Sequence, residues 1–418
     1  MSLAGKRVLY ISYNGMLEPL GQSQVIRYLR ELSKLDIQFT LLSFERAQAF
    51  SPEGIAKCAV LQRELAAYGI DWRWLRYHKS PSLPATTYDV LAGAQYGYRL
   101  VRDKEIQMVH ARNHIPAAIA LRLKHRLGPK IIFDLRGLMA DEYVDAGHWK
   151  KNSMAYRITK AAERRALNAA DGIVTLTENI WPTIQSWDAL KDHKVHHKVI
   201  PCCADLDLFT FHQGDRDRRR GELKVGNRFL LIYSGSIDGW YLTEEMSDFF
   251  VQLQKQRNAH FLWLTQSGRE RITTLMRARA INEDDYTILA AAPNEVPSYL
   301  SAADAGLAFI KPCFSKRASS PTKYAEYLGC GLPLIINKGV GDSDDLVLRE
   351  CAGALISEFN DAEYGKAITI VEKQVRNREQ TRQRSRDVAE RLFDLKQVGI
   401  PRYACLYDRV LGDQFRSG

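Results

Sequence analysis

The chain has 418 residues, is 45% hydrophobic and 26% charged, and carries a net charge of +10. That length fits two domains with full cores, and the longest apolar runs fall far short of a membrane span. Seven scattered cysteines with no C-x-x-C pair fit reduced, mostly buried thiols. The charge is uneven: residues 1–205 hold roughly 29 Lys and Arg against about 20 Asp and Glu. The basic half therefore faces something acidic or is simply a soluble basic surface. No helix-turn-helix, RNP or zinc-finger pattern speaks for nucleic acid, and the inner leaflet of a membrane fits equally well. The N-terminal "MSLAGKRVLYIS" runs straight into a strand pattern without the order of a signal peptide, which reads as cytoplasmic.

In chain order, apolar runs at 6–12, 37–44, 70–77, 106–111, 130–135 and 172–177 read as strands. Helical patterns lie between them at 22–34, 52–68, 84–103, 116–126 and 151–170. "KVIPCCADLDLF" (198–209) leaves the last of these strands, and the arginine-rich 212–227 shows no apolar face before Leu223. The expected division is a first domain at 1–210, a linker at 211–227, a second domain at 228–395, and a C-terminal helix at 396–418 returning to the first. The second half restarts the pattern, with strands at 228–236, 260–266, 286–291, 305–311, 332–337 and 353–359. Its helices fall at 241–257, 268–280, 294–302, 320–329 and from 360 onward. Alternation of this kind predicts an α/β protein with two doubly wound, Rossmann-like parallel-sheet domains facing a central cleft, with ligands at the carboxyl ends of the strands.

"SSPTKYAEYLGCGLPLII" (319–336) carries the most specific chemistry. Ser319 and Ser320 suit an N-cap and Pro321 the first helical position, so a helix is expected from here to Gly329 or Cys330. Its free N–H groups and positive dipole end suit a phosphate. Thr322 and Glu326 share a face, about 6 Å apart along the axis, and Lys323 borders it. A phosphate at the tip and a carboxylate one turn down fit a nucleoside diphosphate, with a capped surface helix and a Lys–Glu pair as the alternative.

In the first half, Gly21 lets backbone approach a phosphate closely, and Gln22 follows it at a helix start. Arg112 and His114 end the fourth strand, where a cation would stabilise a departing diphosphate. Asp134, Arg136, Asp141 and Glu142 follow the fifth strand, and a carboxylate there, with Glu142 the candidate, could take a proton from an acceptor hydroxyl. A salt-bridge network around Arg136 is the alternative. The D-x-D strings at 205–207 and 215–217 do not follow a strand at a nucleotide site, so no metal is assigned.

Four blocks in order carry a family resemblance: "EPLGQSQVIRYLREL" (18–32), "KVIPCCADLDLF", "NEVPSYLSAADAGLAFI" (294–310) and 319–336. Together they resemble the GT-B glycosyltransferases, particularly glycosyltransferase family 4 and a sub-branch with S-x-P-T-K-x-x-E-Y-L. The resemblance implies an acceptor-side first domain and a nucleotide-sugar-binding second domain. It places the donor near Gly21, Gln22, Gly235, Ser236, Glu295, Val296, Ser320, Thr322, Lys323 and Glu326, the acceptor near Asp134, Arg136 and Asp141, and the reaction near Arg112, His114 and Glu142. The sequence departs from the family at Ala318, where a glutamate is usual, at Pro321, which has no N–H to donate, and at 233–242, which lacks the usual basic residues. Lys323 is the first candidate to replace that charge, with Lys311 and Lys316 behind it.

The implied function is a retaining, metal-independent hexosyl transfer without a cofactor. The donor is a nucleoside-diphosphate sugar of the UDP or GDP type. The acceptor is a glycan or lipid-linked acceptor in surface polysaccharide synthesis, at the cytoplasmic face of the inner membrane. A GT-B-fold sugar-nucleotide epimerase or hydrolase, and a catalytically inactive subunit, are the rival readings.

Overall fold

The structure, a computed structural model, describes residues 3–191 and 193–412. Contacts divide the chain into two units, Met1–Pro201 with Val398–Gly418, and Cys202–Gln397. The first unit is built on a seven-stranded sheet: β1 (Arg7–Ser12), β2 (Gln38–Glu45), β3 (Ile70–Arg76), β4 (Met108–Arg112), β5 (Lys130–Asp134), β6 (Gly172–Thr175) and β7 (His196–Val199). The second has six: β8 (Phe229–Ser234), β9 (Ala259–Leu264), β10 (Tyr286–Leu289), β11 (Ala305–Ala308), β12 (Leu334–Asn337) and β13 (Gly353–Ile356). Strand orders are β3-β2-β1-β4-β5-β6-β7 and β10-β9-β8-β11-β12-β13, every pair parallel. The central strands are buried on both faces, as the apolar runs "RVLYIS" and "FLLIYS" require. Strand order reverses between β1 and β4 and between β8 and β11, the two switch points where a doubly wound sheet opens a ligand crevice. The fold class is GT-B.

Three expectations differ from the structure. The stretch expected as a linker at 211–227 holds the helix Gln213–Glu222, and the boundary between units lies earlier, after Pro201. Its arginines are not a solvated run. Arg216 is buried and donates to the carbonyls of Ser301, Ala302 and Ala303, at 3.3, 2.9 and 2.7 Å, and to Asp304 at 2.7 Å. Guanidinium groups thus satisfy the carbonyl end of the helix Val296–Ala302, which is why a helix with so little apolar face is held in the second unit.

The strand β7 was not expected. "HHKV" is a polar edge strand, half-exposed along its length, and carries little of the apolar signal of a central strand. The helix of the 319–336 block begins at Thr322, with Pro321 as its extended N-cap residue. Ser320 does not cap it, because its hydroxyl accepts the N–H of Cys202 at 3.1 Å.

The last helix, Ile400–Gly412, belongs to the first unit. Tyr403 donates to Asp134 at 2.9 Å, and the Tyr407 hydroxyl lies 2.6 Å from His110 Nδ1. Both tyrosines are buried, so this helix closes polar groups of β4 and β5 away from water.

Candidate active site

In the second unit the site forms where β8 ends beside the helix Thr322–Gly329. Lys323 points inward, 6% exposed, and its Nζ donates to the Tyr233 hydroxyl at 3.1 Å. The ammonium also lies 3.6 Å from the centre of the Tyr241 ring and 4.3 Å from that of Tyr233. Burial pushes it down to about 7, against the pull of Glu326. Gly235 passes this ammonium in a left-handed conformation, φ +135°, and a Cβ there would sit 3.0 Å from Nζ. The missing side chain leaves room beside a lysine that, among the described residues, no carboxylate pairs directly.

Neighbouring contacts hold this arrangement. The Tyr327 hydroxyl accepts the N–H of Ser234 at 2.7 Å, and the Tyr233 hydroxyl donates to the Ser236 carbonyl. The loop after Ser236 turns back over β11, where the N–H groups of Leu242 and Lys311 donate to the carbonyls of Phe309 and Trp240. Lys316 lies buried over the Trp240 ring at 3.9 Å, and Lys311 is exposed. Gly235, Ser236, Lys323 and Glu326 are therefore brought together, with Thr322 opening the same helix and Ser320 just before it. Glu295 is engaged elsewhere: its carboxylate pairs with Arg219 at 3.2 Å and accepts the N–H of Ala292 at 3.0 Å, just ahead of the helix that Val296 begins.

In the first unit the polar residues form two groups. Beneath the loop at 13–21, Arg112 donates to Asn14 at 3.3 Å and Arg136 to Gln24 at 3.2 Å. Asp134 is fully buried with Arg136 3.6 Å away. Burial alone would raise its carboxyl, but Arg136, His110 and Arg112 hold it down at about 2. Asp134 thus faces its own unit's interior, unlike the ligand-facing position expected for it. The second group is His114 with Glu163 at 2.8 Å and Asn113 at 2.7 Å, Glu163 with Lys160, and Lys160 with Asp141 at 3.2 Å. Both ring nitrogens of His114 are occupied, which leaves none for a substrate. Glu142 is half-buried and its carboxylate lies over Gly137, in the turn that Arg136 enters.

Gly21 is buried, and a Cβ on it would lie 2.2 Å from the Gly15 carbonyl oxygen. Its close neighbour is the chain's own backbone, and Gln22 donates from its side chain to Met16 O at 2.6 Å. The loop is anchored by Glu45, which sequence reasoning missed. This buried carboxylate accepts from Met16 N at 2.7 Å and from the Ser43 hydroxyl at 2.6 Å. Tyr233, Tyr241 and Tyr327 were also missed as site residues. A tyrosine in a strand or helix reads as core, and only the position of Lys323 gives these three their roles.

Beside Asn14 a pocket of about 260 Å³ is bounded by Tyr13, Phe44, Tyr77, Lys79, Tyr143 and Trp149 among others. The rings of Tyr143 and Trp149 stack at 4.3 Å.

Residues 21–208, just under half of the chain, match the family model described as Glycosyltransferase Family 4. Solved structures share the fold over nearly their whole length. A glycosyltransferase from Rickettsia africae ESF-5 is 12% identical with a TM-score of 0.73, covering 98% of this chain and 99% of its own. A sucrose-phosphate synthase from Thermosynechococcus elongatus is 15% identical with a TM-score of 0.74, over 97% and 99%. HepE from Anabaena, in complex with UDP and glucose, is 14% identical with a TM-score of 0.68, over 96% and 99%. No curated protein matches the chain. The chain thus has the GT-B fold of these structures, and its first half resembles glycosyltransferase family 4.

Proposed function

We propose that the chain moves a sugar, with retention, from a nucleoside-diphosphate sugar to a glycan or lipid-linked acceptor in surface polysaccharide synthesis. The observation that carries the donor half is Lys323, a buried ammonium between Tyr233 and Tyr241 with open space at Gly235. A diphosphate beside Nζ would supply the counter-charge that the ammonium lacks. The unpaired N–H groups at the start of the helix Thr322–Gly329 add to it. Glu326, one turn along, suits a ribose diol because an ionised carboxylate only accepts. Complexes of HepE with UDP and with UDP-glucose support the uridine member of the UDP or GDP pair. Retention and hexosyl transfer rest on the family likeness.

Charge on the leaving diphosphate is met by Lys323 and backbone N–H groups, so no divalent metal or other cofactor is required. The acceptor side is assigned to the first unit, with Arg112 and Arg136 as cations and Glu142 as the proton acceptor. The basic surface of that unit fits a protein working at the cytoplasmic face of the inner membrane.

Thermal shift against UDP, GDP, dTDP and their sugars tests the donor half, because a ligand of the folded state raises Tm. A uridine or guanosine diphosphate is expected to stabilise the protein and its 2′-deoxy analogue to do so less. Glu326→Ala should abolish that ribose preference and weaken binding by about one to two powers of ten. A protein that no nucleotide stabilises would be the inactive subunit. One that consumes donor without an acceptor would be the hydrolase or epimerase.

A further inference from the structure

Asp304 directly precedes β11 and bonds to the start of β8, at the end of the second unit's sheet opposite Gly235 and Lys323. Its carboxylate is buried among guanidiniums. Oδ1 accepts from Arg216 at 2.7 Å and from Arg378 at 2.8 Å. Oδ2 accepts from Leu230 N at 2.9 Å and from Arg220 at 3.3 Å. Four donors fill the capacity of a carboxylate. A further guanidinium, Arg382, stands in the same cluster without a share of it.

The Arg382 side chain is only 17% exposed, and among the described residues it makes no hydrogen bond. Its guanidinium lies 3.5 Å from the centre of the Phe211 ring. The carboxylate of Glu379 comes no closer than 4.0 Å and is 92% exposed, so water screens it. Burial and the charges of Arg216 and Arg378 push Arg382 down to about 10. Arg216 and Arg220 have an evident structural task, because both donate to backbone carbonyls, Arg220 to those of Ala302, Gly226 and Arg228. Arg378 and Arg382 bond no backbone carbonyl among the described residues. Instead they border a cleft of about 10 Å³, room for one water-sized group, together with Ala303, Pro333 and Thr381. Four guanidiniums around one saturated carboxylate leave the cleft strongly positive.

We propose that this cleft binds a phosphate group, either free or as the end of a phosphomonoester, between the guanidiniums of Arg378 and Arg382. One phosphate oxygen fits the cleft and the others remain at its mouth, within reach of two planar forks that match tetrahedral oxyanions. Both arginines lie in the first five residues of the helix Arg378–Phe393, whose dipole adds to the field. The six residues of β8 separate this cleft from the donor lysine, about 15–20 Å along the strand, so the two sites are distinct. The inference does not rest on the transferase reading.

Thermal shift with inorganic phosphate, against chloride at matched ionic strength, tests it. Millimolar phosphate is expected to raise the Tm of the wild type saturably, as a ligand of the folded state does. Arg382→Gln and Arg378→Gln should each weaken phosphate by about one to two powers of ten. Arg382→Lys, which keeps the charge without the fork, should retain part of the affinity. Without phosphate, Arg382→Gln should melt at or above the wild type, because it relieves like-charge crowding. Lys323→Met should keep the full phosphate shift. Glycerol 3-phosphate, tried beside inorganic phosphate, distinguishes the two sources: a shift at least as large marks a phosphomonoester site, and a shift with inorganic phosphate alone marks a free-anion site. No saturable shift in the wild type overturns the proposal. An equal rise in the wild type and both glutamine variants also overturns it, being the general effect of an excluded salt. A shift that Lys323→Met removes and Arg382→Gln keeps overturns it too, since the phosphate then sits beside Lys323.

Discussion

Lys323 sets how the proposed donor site should respond to pH. Its ammonium is taken from an ordinary 10.5 to about 7 by burial, with Glu326 opposing. A bound diphosphate restores a counter-charge and draws the proton back. Nucleoside-diphosphate binding at pH 8 is therefore expected to take up a proton, read as an enthalpy that changes with the ionisation heat of the buffer, and affinity should weaken as pH rises above 7. Lys323→Met should lose the proton uptake and about one to two powers of ten in affinity, the worth of a charge-assisted hydrogen bond. A buffer-independent enthalpy in the wild type would remove Lys323 from the diphosphate. Stability has the matching sign. The folded value lies below the unfolded one, so the contribution of Lys323 is present above pH 10.5 and is lost as pH falls through 7. Lys323→Met should accordingly gain Tm over the wild type as pH is lowered across that window. If the proposed transfer uses this cation in place of a divalent metal, turnover should survive EDTA, and a loss restored by manganese would place a metal at the diphosphate.

At the scale of elements, the loop between β1 and the first helices shows how a motif residue acts through packing. Gly21 touches the Gly15 carbonyl, and Glu45 clamps Met16 from β2. Gly21→Ala is expected to cost about 1–3 kcal/mol in urea unfolding, because the new Cβ meets backbone that has nowhere to move. Unchanged stability would show that the loop gives way and that the glycine serves a ligand instead. The end of β8 depends on the neighbouring helix in the same manner. Tyr327→Phe strands the N–H of Ser234 and is expected to cost about 1–3 kcal/mol, with weaker nucleotide binding because Gly235 follows directly. The spacing of Lys323 and Glu326 was legible because a helix repeat is local. The tyrosines around them were not, since Tyr233 and Lys323 meet across 90 residues.

For the whole molecule, the helix Ile400–Gly412 ties the end of the chain to the first unit. A chain ending at residue 397 would expose the apolar face it covers and leave Asp134 and His110 without their tyrosines. This truncation is expected to abolish cooperative unfolding of the first unit, and a truncated protein that melts as the full chain does would contradict the closing role. By itself the sequence determined the alternation of strands and helices, two doubly wound sheets, and the helix that carries Lys323 and Glu326. Those features follow from apolar periodicity and turn residues read over a dozen positions. Tertiary structure decided which charges lie inside. Arg216 reads as a solvated linker residue until the carbonyls of Ser301 to Ala303 are placed beside it, and Asp134 as a ligand-facing carboxylate until Tyr403 covers it. The physical reason is the same in each case: burial and hydrogen-bond partners come from residues far along the chain, and no local pattern encodes which distant segment will supply them.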